Sequence, residues 1–176
     1  MFRLFIIPLL LITFLLFAEQ EAGAQSPAKE WTVSEWINSD PLTLEGLRGK
    51  VVVLEFFQLW CPGCNHFSIP LMQRWENKYR NNKRVQLISI HAVFEGHDVQ
   101  TPLRLRQFIK EKGIRHPVAI DRHSAGSPIP DTMRAYGTRG TPEMAIIDKA
   151  GHIRFQKFGS FDWFTAEHLI EELLRE

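Results

Sequence analysis

The chain has 176 residues, room for one compact domain with small additions. Its 44% apolar and 23% charged residues belong to a folded globular protein rather than a disordered or fibrous one. A formal net charge of +1 gives no electrostatic case for nucleic acid or another acidic polymer as partner.

Met1-Phe2-Arg3 is a short, positively charged start. Leu4 to Ala18 is almost entirely apolar, interrupted only by Pro8 and Thr13, and polar residues then lead to Ala22-Gly23-Ala24. That order predicts a secretory signal over residues 1–24, cleaved after Ala24 to leave Gln25 first. The alternative is an uncleaved membrane tether, for which the apolar run falls short of the roughly 20 residues that a spanning helix needs. No Cys stands at the end of the run, which excludes a lipid-modified N-terminal Cys. Either way the domain is expected outside the cytoplasm, in the periplasm or an equivalent compartment. Residues 25–30 read as a linker and residues 31–176 as the folded domain.

Trp31 to Ile37 reads as a short strand, Ser39-Asp40-Pro41 as a turn and Leu42-Thr43-Leu44 as a second strand, together an N-terminal hairpin. Val51 to Phe57 is a continuous β-branched and aromatic run, the pattern of a strand buried on both faces. From Pro62 to about Asn81, Phe67, Leu71, Trp75 and Tyr79 recur every fourth residue, which predicts a helix, kinked or begun at Pro70. Val85 to Ile90 is another buried strand. Thr101-Pro102 starts a second helix and Gly113 ends it. Pro117 to Ile120 is a third buried strand, and Asp131 to Tyr136 a short helix. Glu143–Ile147 and His152–Phe158 flank a turn at Asp148–Gly151, and Thr165 caps a last helix. The order implies an α/β fold with a mixed sheet, parallel where strands alternate with helices and antiparallel at the closing hairpin.

The chain has two cysteines, Cys61 and Cys64. A bond between them closes so small a loop that it would constrain the unfolded chain little, so chemistry is the better reading than a structural staple. Cys61 follows a buried strand and opens a helix, whose N-terminus favours its thiolate. Cys64 falls within the first turn, less accessible. Cys61 is therefore the expected nucleophile and Cys64 the resolving thiol, with Trp60 shielding the pair and offering contact surface. The alternative is half of a zinc site, with His66 and His91 as further ligands, although a second Cys/His pair is missing. Glu55 stands in the middle of an apolar strand. A buried carboxylate there would carry a raised pKa and could exchange a proton with Cys64; a solvated edge position is the plainer alternative. Thr141-Pro142 precedes the apolar run Met144–Ile147, and the bond can be cis or trans.

Three segments together resemble the thioredoxin superfamily, nearest its exported TlpA-like thiol–disulfide interchange branch. They are Leu47–Phe56, Leu59–Cys64, and Gly140–Glu143 with Ile147–Gly151. The resemblance runs from about Trp31 to the C-terminus. It implies a thioredoxin fold, with an insertion between a central strand and helix at His91–Gln100. It implies a Cys61–Cys64 redox disulfide, a cis Pro142 against the pair, and Thr141, Trp60, Pro62 and Gly63 facing the partner. Glu55 matches the buried acid of thioredoxins; some exported relatives instead carry a Glu where this chain has Phe67. Pro70 falls one residue later after the pair than the family's helix proline, which puts local helix geometry in question. The Thr-x-x-Cys of peroxidase relatives is missing, since Cys61 occupies the Thr position. The implied activity is disulfide exchange with protein thiols or disulfides, as a monomeric reductase fed from a membrane electron donor, without cofactor or metal. A disulfide oxidase, a copper chaperone using His91, and a binding module with vestigial cysteines are the competing readings.

Overall fold

The computed structural model describes residues 26–176. The expected signal segment and its cleavage point lie outside the described residues. Six strands form one sheet: β1 (Val33–Ile37), β2 (Val51–Phe57), β3 (Val85–His91), β4 (Val118–Asp121), β5 (Glu143–Ile147) and β6 (Ile153–Phe158). Four helices accompany them: α1 (Ile69–Tyr79), α2 (Pro102–Lys112), α3 (Asp131–Ala135) and α4 (Trp163–Arg175). The strand order is β1-β4-β3-β2-β5-β6. β2 runs parallel to β3, and β3 to β4, whereas β1–β4, β2–β5 and β5–β6 are antiparallel.

β2 lies at the centre, and all seven of its residues are buried. Its alternation divides the core. Val52, Leu54 and Phe56 face a layer with Trp31, Leu44, Leu47, Met133 and Tyr136. Val51 and Val53 face the opposite layer, against Met72, Trp75 and Tyr79 of α1 and Ile170, Leu173 and Leu174 of α4. Phe57 continues that second face into a cluster with Cys61, Cys64, Leu105, Phe108 and Ile109. By the same period Glu55 points toward the α1 side. α2 begins and ends as expected: Thr101 accepts from the Arg104 amide, and Gly113 takes a left-handed conformation at φ 69°.

The expected N-terminal hairpin does not form. β1 pairs with β4 instead, and residues 42–44 lead into a 3₁₀ turn at Glu45–Leu47. Side chains take up the backbone groups that a ladder would have used. The Glu30 carboxylate accepts the Leu44 amide at 2.9 Å, and Trp31 Nε1 donates to Leu42 O at 2.7 Å. Residues 26–30, read as linker, dock on the β5–β6 turn. Ala28 N donates to Gly151 O, and Ile153 N to Ser26 O, both at 2.9 Å. The last helix is capped by Asp162, which accepts from Phe164 N, while Thr165 sits inside the first turn. Among the described residues no helix is long and apolar enough to cross a membrane.

Candidate active site

β2 ends at Phe57, and the chain turns through Gln58–Trp60 into Cys61. Cys61 and Cys64 are joined in a disulfide with their Cα atoms 5.2 Å apart. Cys61 is 7% exposed and Cys64 fully buried. The Cys64 amide donates to Cys61 Sγ at 3.1 Å, so a backbone N–H of the first helical turn is already aimed at that sulfur. Asn65 Nδ2 donates to Leu59 O at 2.8 Å and Cys61 O at 3.1 Å, which fixes the turn before the pair.

The helix begins at Pro62–Gly63, runs through a π turn at Cys64–Ser68 and continues as α1 with Pro70 in its first turn. An i→i+5 turn holds one more residue than an α turn. The extra residue between the cysteines and Pro70 is absorbed there without breaking the helix.

Pro142 comes to this turn from the start of β5, the strand paired with β2. The Thr141–Pro142 bond is cis, and a Cβ placed on Gly63 would stand 2.9 Å from Pro142 Cδ. Gly63 thus permits the two loops to touch. Glu143 anchors the Pro142 loop: its carboxylate accepts the Arg139 amide at 3.1 Å and Gln156 Nε2 at 2.6 Å.

Trp60 is 48% exposed, and its ring lies over Gly96, where a Cβ would overlap it. Its Nε1 donates to Gln58 Oε1 at 3.1 Å, and Gln58 donates in turn to Ala92 O at 3.1 Å. Leu59 N donates to Gln100 Oε1 at 2.9 Å. The segment between β3 and α2 is therefore tied to the loop before Cys61. Beside it opens a depression of about 420 Å³ lined by Leu59, Trp60, Asn65, Val99, Gln100 and Phe108, among others.

Glu55 is 1% exposed. Burial raises its pKa, opposed by the Ser89 hydroxyl and by His116. Ser89 Oγ donates to Glu55 Oε2 at 2.5 Å. Glu55 Oε1 and Ser68 Oγ have no hydrogen-bond partner among the described residues. Ser89 was not among the expected residues, although a Ser inside an apolar strand is the same signal that marks Glu55.

The two histidines considered as metal ligands have other partners. His66 is exposed, and its Nδ1 lies 2.8 Å from Pro62 O. His91 is buried, and burial lowers its pKa to about 4 against a weak hydrogen bond with Gln100. Among the described residues no three His, Cys, Asp or Glu side chains are grouped as a metal site.

The profile of the AhpC/TSA family matches residues 24–156. The chain belongs to that family. It is 30% identical over 146 residues to the thiol-disulfide oxidoreductase ResA of Bacillus thuringiensis, a match covering 81% of this chain and 75% of ResA. It is 29% identical over 150 residues to Protein DipZ of Mycobacterium bovis, covering 82% of this chain and 20% of DipZ. The chain thus spans about a fifth of the length of that relative. A solved thiol-disulfide isomerase from Corynebacterium glutamicum superposes with a TM-score of 0.81 at 44% identity, over 86% of this chain and 97% of that one. The fold is thioredoxin-like. Within this family and fold, the bonded Cys61–Cys64 pair is the chemistry of a thiol–disulfide oxidoreductase.

Proposed function

We propose that the chain is an exported, monomeric reductase of protein disulfides, working through Cys61 and Cys64. The observation that supports this most is the placement of its only two cysteines. They are bonded at a helix start, with an amide aimed at Cys61 Sγ and Pro142 packed on the turn between them. In the reduced protein the Cys61 thiolate attacks a partner disulfide, forming a mixed disulfide and releasing one partner sulfur as thiolate. The Cys64 thiol gives its proton to Glu55, and its sulfur attacks Cys61 Sγ. The Cys61–Cys64 bond forms, and the second partner sulfur leaves with the bonding electron pair. Thr141, Pro142, Trp60, Pro62 and Gly63 make the surface on which the partner's chain lies.

Export rests on the charged start, apolar run and Ala22-Gly23-Ala24 of the N-terminus. Outside the cytoplasm the dithiol must be restored by electrons that cross the membrane, which makes a membrane-bound dithiol donor the fitting partner. No metal or organic cofactor enters the scheme.

The test is a trapping experiment with a redox titration. Cys64→Ser should accumulate mixed disulfides through Cys61, and Cys61→Ser should form none. A strongly negative midpoint against glutathione supports the reductase direction; a value near the strong disulfide oxidants would assign an oxidase. Full exchange activity in both Ser variants would refute the assignment.

A further inference from the structure

We propose that Ser89, His116 and Glu76 form a proton relay that links Glu55 to solvent on a face remote from the disulfide. The proposal rests on Glu55 serving as the proton partner of Cys64. An acid that takes a proton in each turnover must lose it before the next. Glu55 is 1% exposed, and a docked partner would cover the cysteine side as well. A second exit is therefore needed, and the structure contains a continuous one.

Ser89 Oγ stands 2.5 Å from Glu55 Oε2 and 2.8 Å from His116 Nε2, and His116 Nδ1 stands 3.1 Å from Glu76 Oε2. Four elements bring these groups together. The parallel register of β2 and β3 sets Glu55 directly opposite Ser89. The segment before β4 is held by Ser89 N donating to Pro117 O at 3.1 Å and Asn38 Nδ2 donating to His116 O at 3.2 Å. α1 supplies Glu76. Ser89 and His116 are 0% and 6% exposed, and Glu76 is 9% exposed. Glu76 and His116 reach the surface at a depression of about 470 Å³ that Lys50, Tyr79, Arg80 and Lys83 also line. It shares no lining residue with the depression beside Trp60.

The chemistry of each group suits the direction of transfer. A hydroxyl has one proton to give and lone pairs to receive another, so Ser89 passes a proton without storing charge. The Glu76 carboxylate faces His116 Nδ1, which therefore carries a hydrogen; when Glu55 is protonated and donates to Ser89 Oγ, the Ser89 hydrogen is free to turn to His116 Nε2. Burial pushes the Glu76 carboxyl up, but hydrogen bonds from His116 and Arg115 outweigh it and hold the pKa at about 2. Arg115 Nε donates to Glu76 Oε1 at 2.8 Å. The charged groups around His116 are thus Glu76 on α1, Arg115 beside it, Glu55 through Ser89, and the cationic rim of Lys50, Arg80 and Lys83.

The step balances. Protonated Glu55 gives its proton to Ser89 Oγ, and the Ser89 hydroxyl proton goes to His116 Nε2. Glu55 returns to carboxylate, and His116 becomes imidazolium beside the Glu76 carboxylate. The imidazolium proton leaves to solvent past Glu76. No electrons move.

The experiment is steady-state reduction of a fluorescent peptide disulfide by the full-length protein with dithiothreitol in excess, followed from about pH 5 to 9, beside single-turnover resolution of the mixed disulfide. Formation of the mixed disulfide by Cys61 is timed separately. His116→Gln keeps an acceptor and a donor but cannot carry a proton, and Ser89→Ala removes the hydroxyl. Each should slow steady-state turnover about tenfold at neutral pH, change its pH profile and leave the Cys61 step and the first resolution unchanged. Ser89→Thr should restore the rate. If Ser89→Ala fails to fold, His116→Gln decides. Wild-type rates and pH profile in His116→Gln, with slow resolution in Glu55→Gln, would overturn the relay and leave Glu55 in its role. Wild-type resolution in Glu55→Gln would instead remove the foundation, and the relay with it.

Discussion

Glu55→Gln should make the oxidised protein more stable at neutral pH. Burial raises the Glu55 pKa above its ordinary 4.5. Between 4.5 and the folded-state value, the folded protein holds a proton that the unfolded chain has released. The unfolded state then binds fewer protons, so stability falls as pH rises, by up to about 1.4 kcal/mol per pH unit. That slope is a sizeable fraction of the roughly 5–15 kcal/mol that holds a domain together. Gln keeps an oxygen to accept from Ser89 Oγ and does not titrate. Other groups titrate too, with different signs. Glu76, lowered to about 2, contributes stability that is present above 4.5 and lost as the pH falls toward 2. His91, lowered to about 4 from 6.5, costs stability as the pH falls through that interval. Asp121 is raised by burial and acts in the same sense as Glu55. All three are common to both proteins and cancel in the difference. The assay is urea unfolding of the wild type and Glu55→Gln in the oxidised state, from about pH 5 to 8. The difference should grow with pH and level off at the folded-state pKa of Glu55. A flat difference across that range, at equal m-values, would refute the raised pKa.

Three other substitutions probe the scaffold of the site. Gly96→Ala puts a Cβ into the Trp60 ring at a backbone φ of 60°, so Trp60 fluorescence should shift and exchange with a protein disulfide should slow. Thr101→Ala removes the side-chain cap of α2 and should cost about 1 kcal/mol in urea unfolding with exchange rates unchanged. Leu105→Ala opens a cavity in the cluster that also holds Phe57, Cys61 and Cys64; unfolding should read a loss of about 2–5 kcal/mol.

What the sequence discloses depends on how far a residue's partners lie along the chain. The Cys pair, the run Val51–Phe57 and the caps of α2 are local signals, each complete within a few residues, and the structure has them where they were expected. The N-terminal hairpin fails for the opposite reason. A strand's composition does not say which neighbour it will pair with, and β1 takes β4, more than eighty positions away in the Ser34–Ile120 contact. The cap of α4 fails by a smaller margin: Asp162 and Thr165 can both cap, and the structure uses the first.

Glu55 and Ser89 occupy a middle ground. Each is a polar residue in an apolar strand, and burying such a group without a partner is costly. The sequence can therefore announce that a partner exists without saying which. Ser89 lies 34 positions from Glu55, His116 lies 27 from Ser89, and Glu76 lies 40 from His116. No local spacing encodes those pairings; the parallel register of β2 and β3 and the packing of α1 do. An unexplained buried acid in a sequence is thus best read as one end of a chain of groups. The other end has to be sought where the fold brings a second titratable group to the surface, which here is Glu76 on α1.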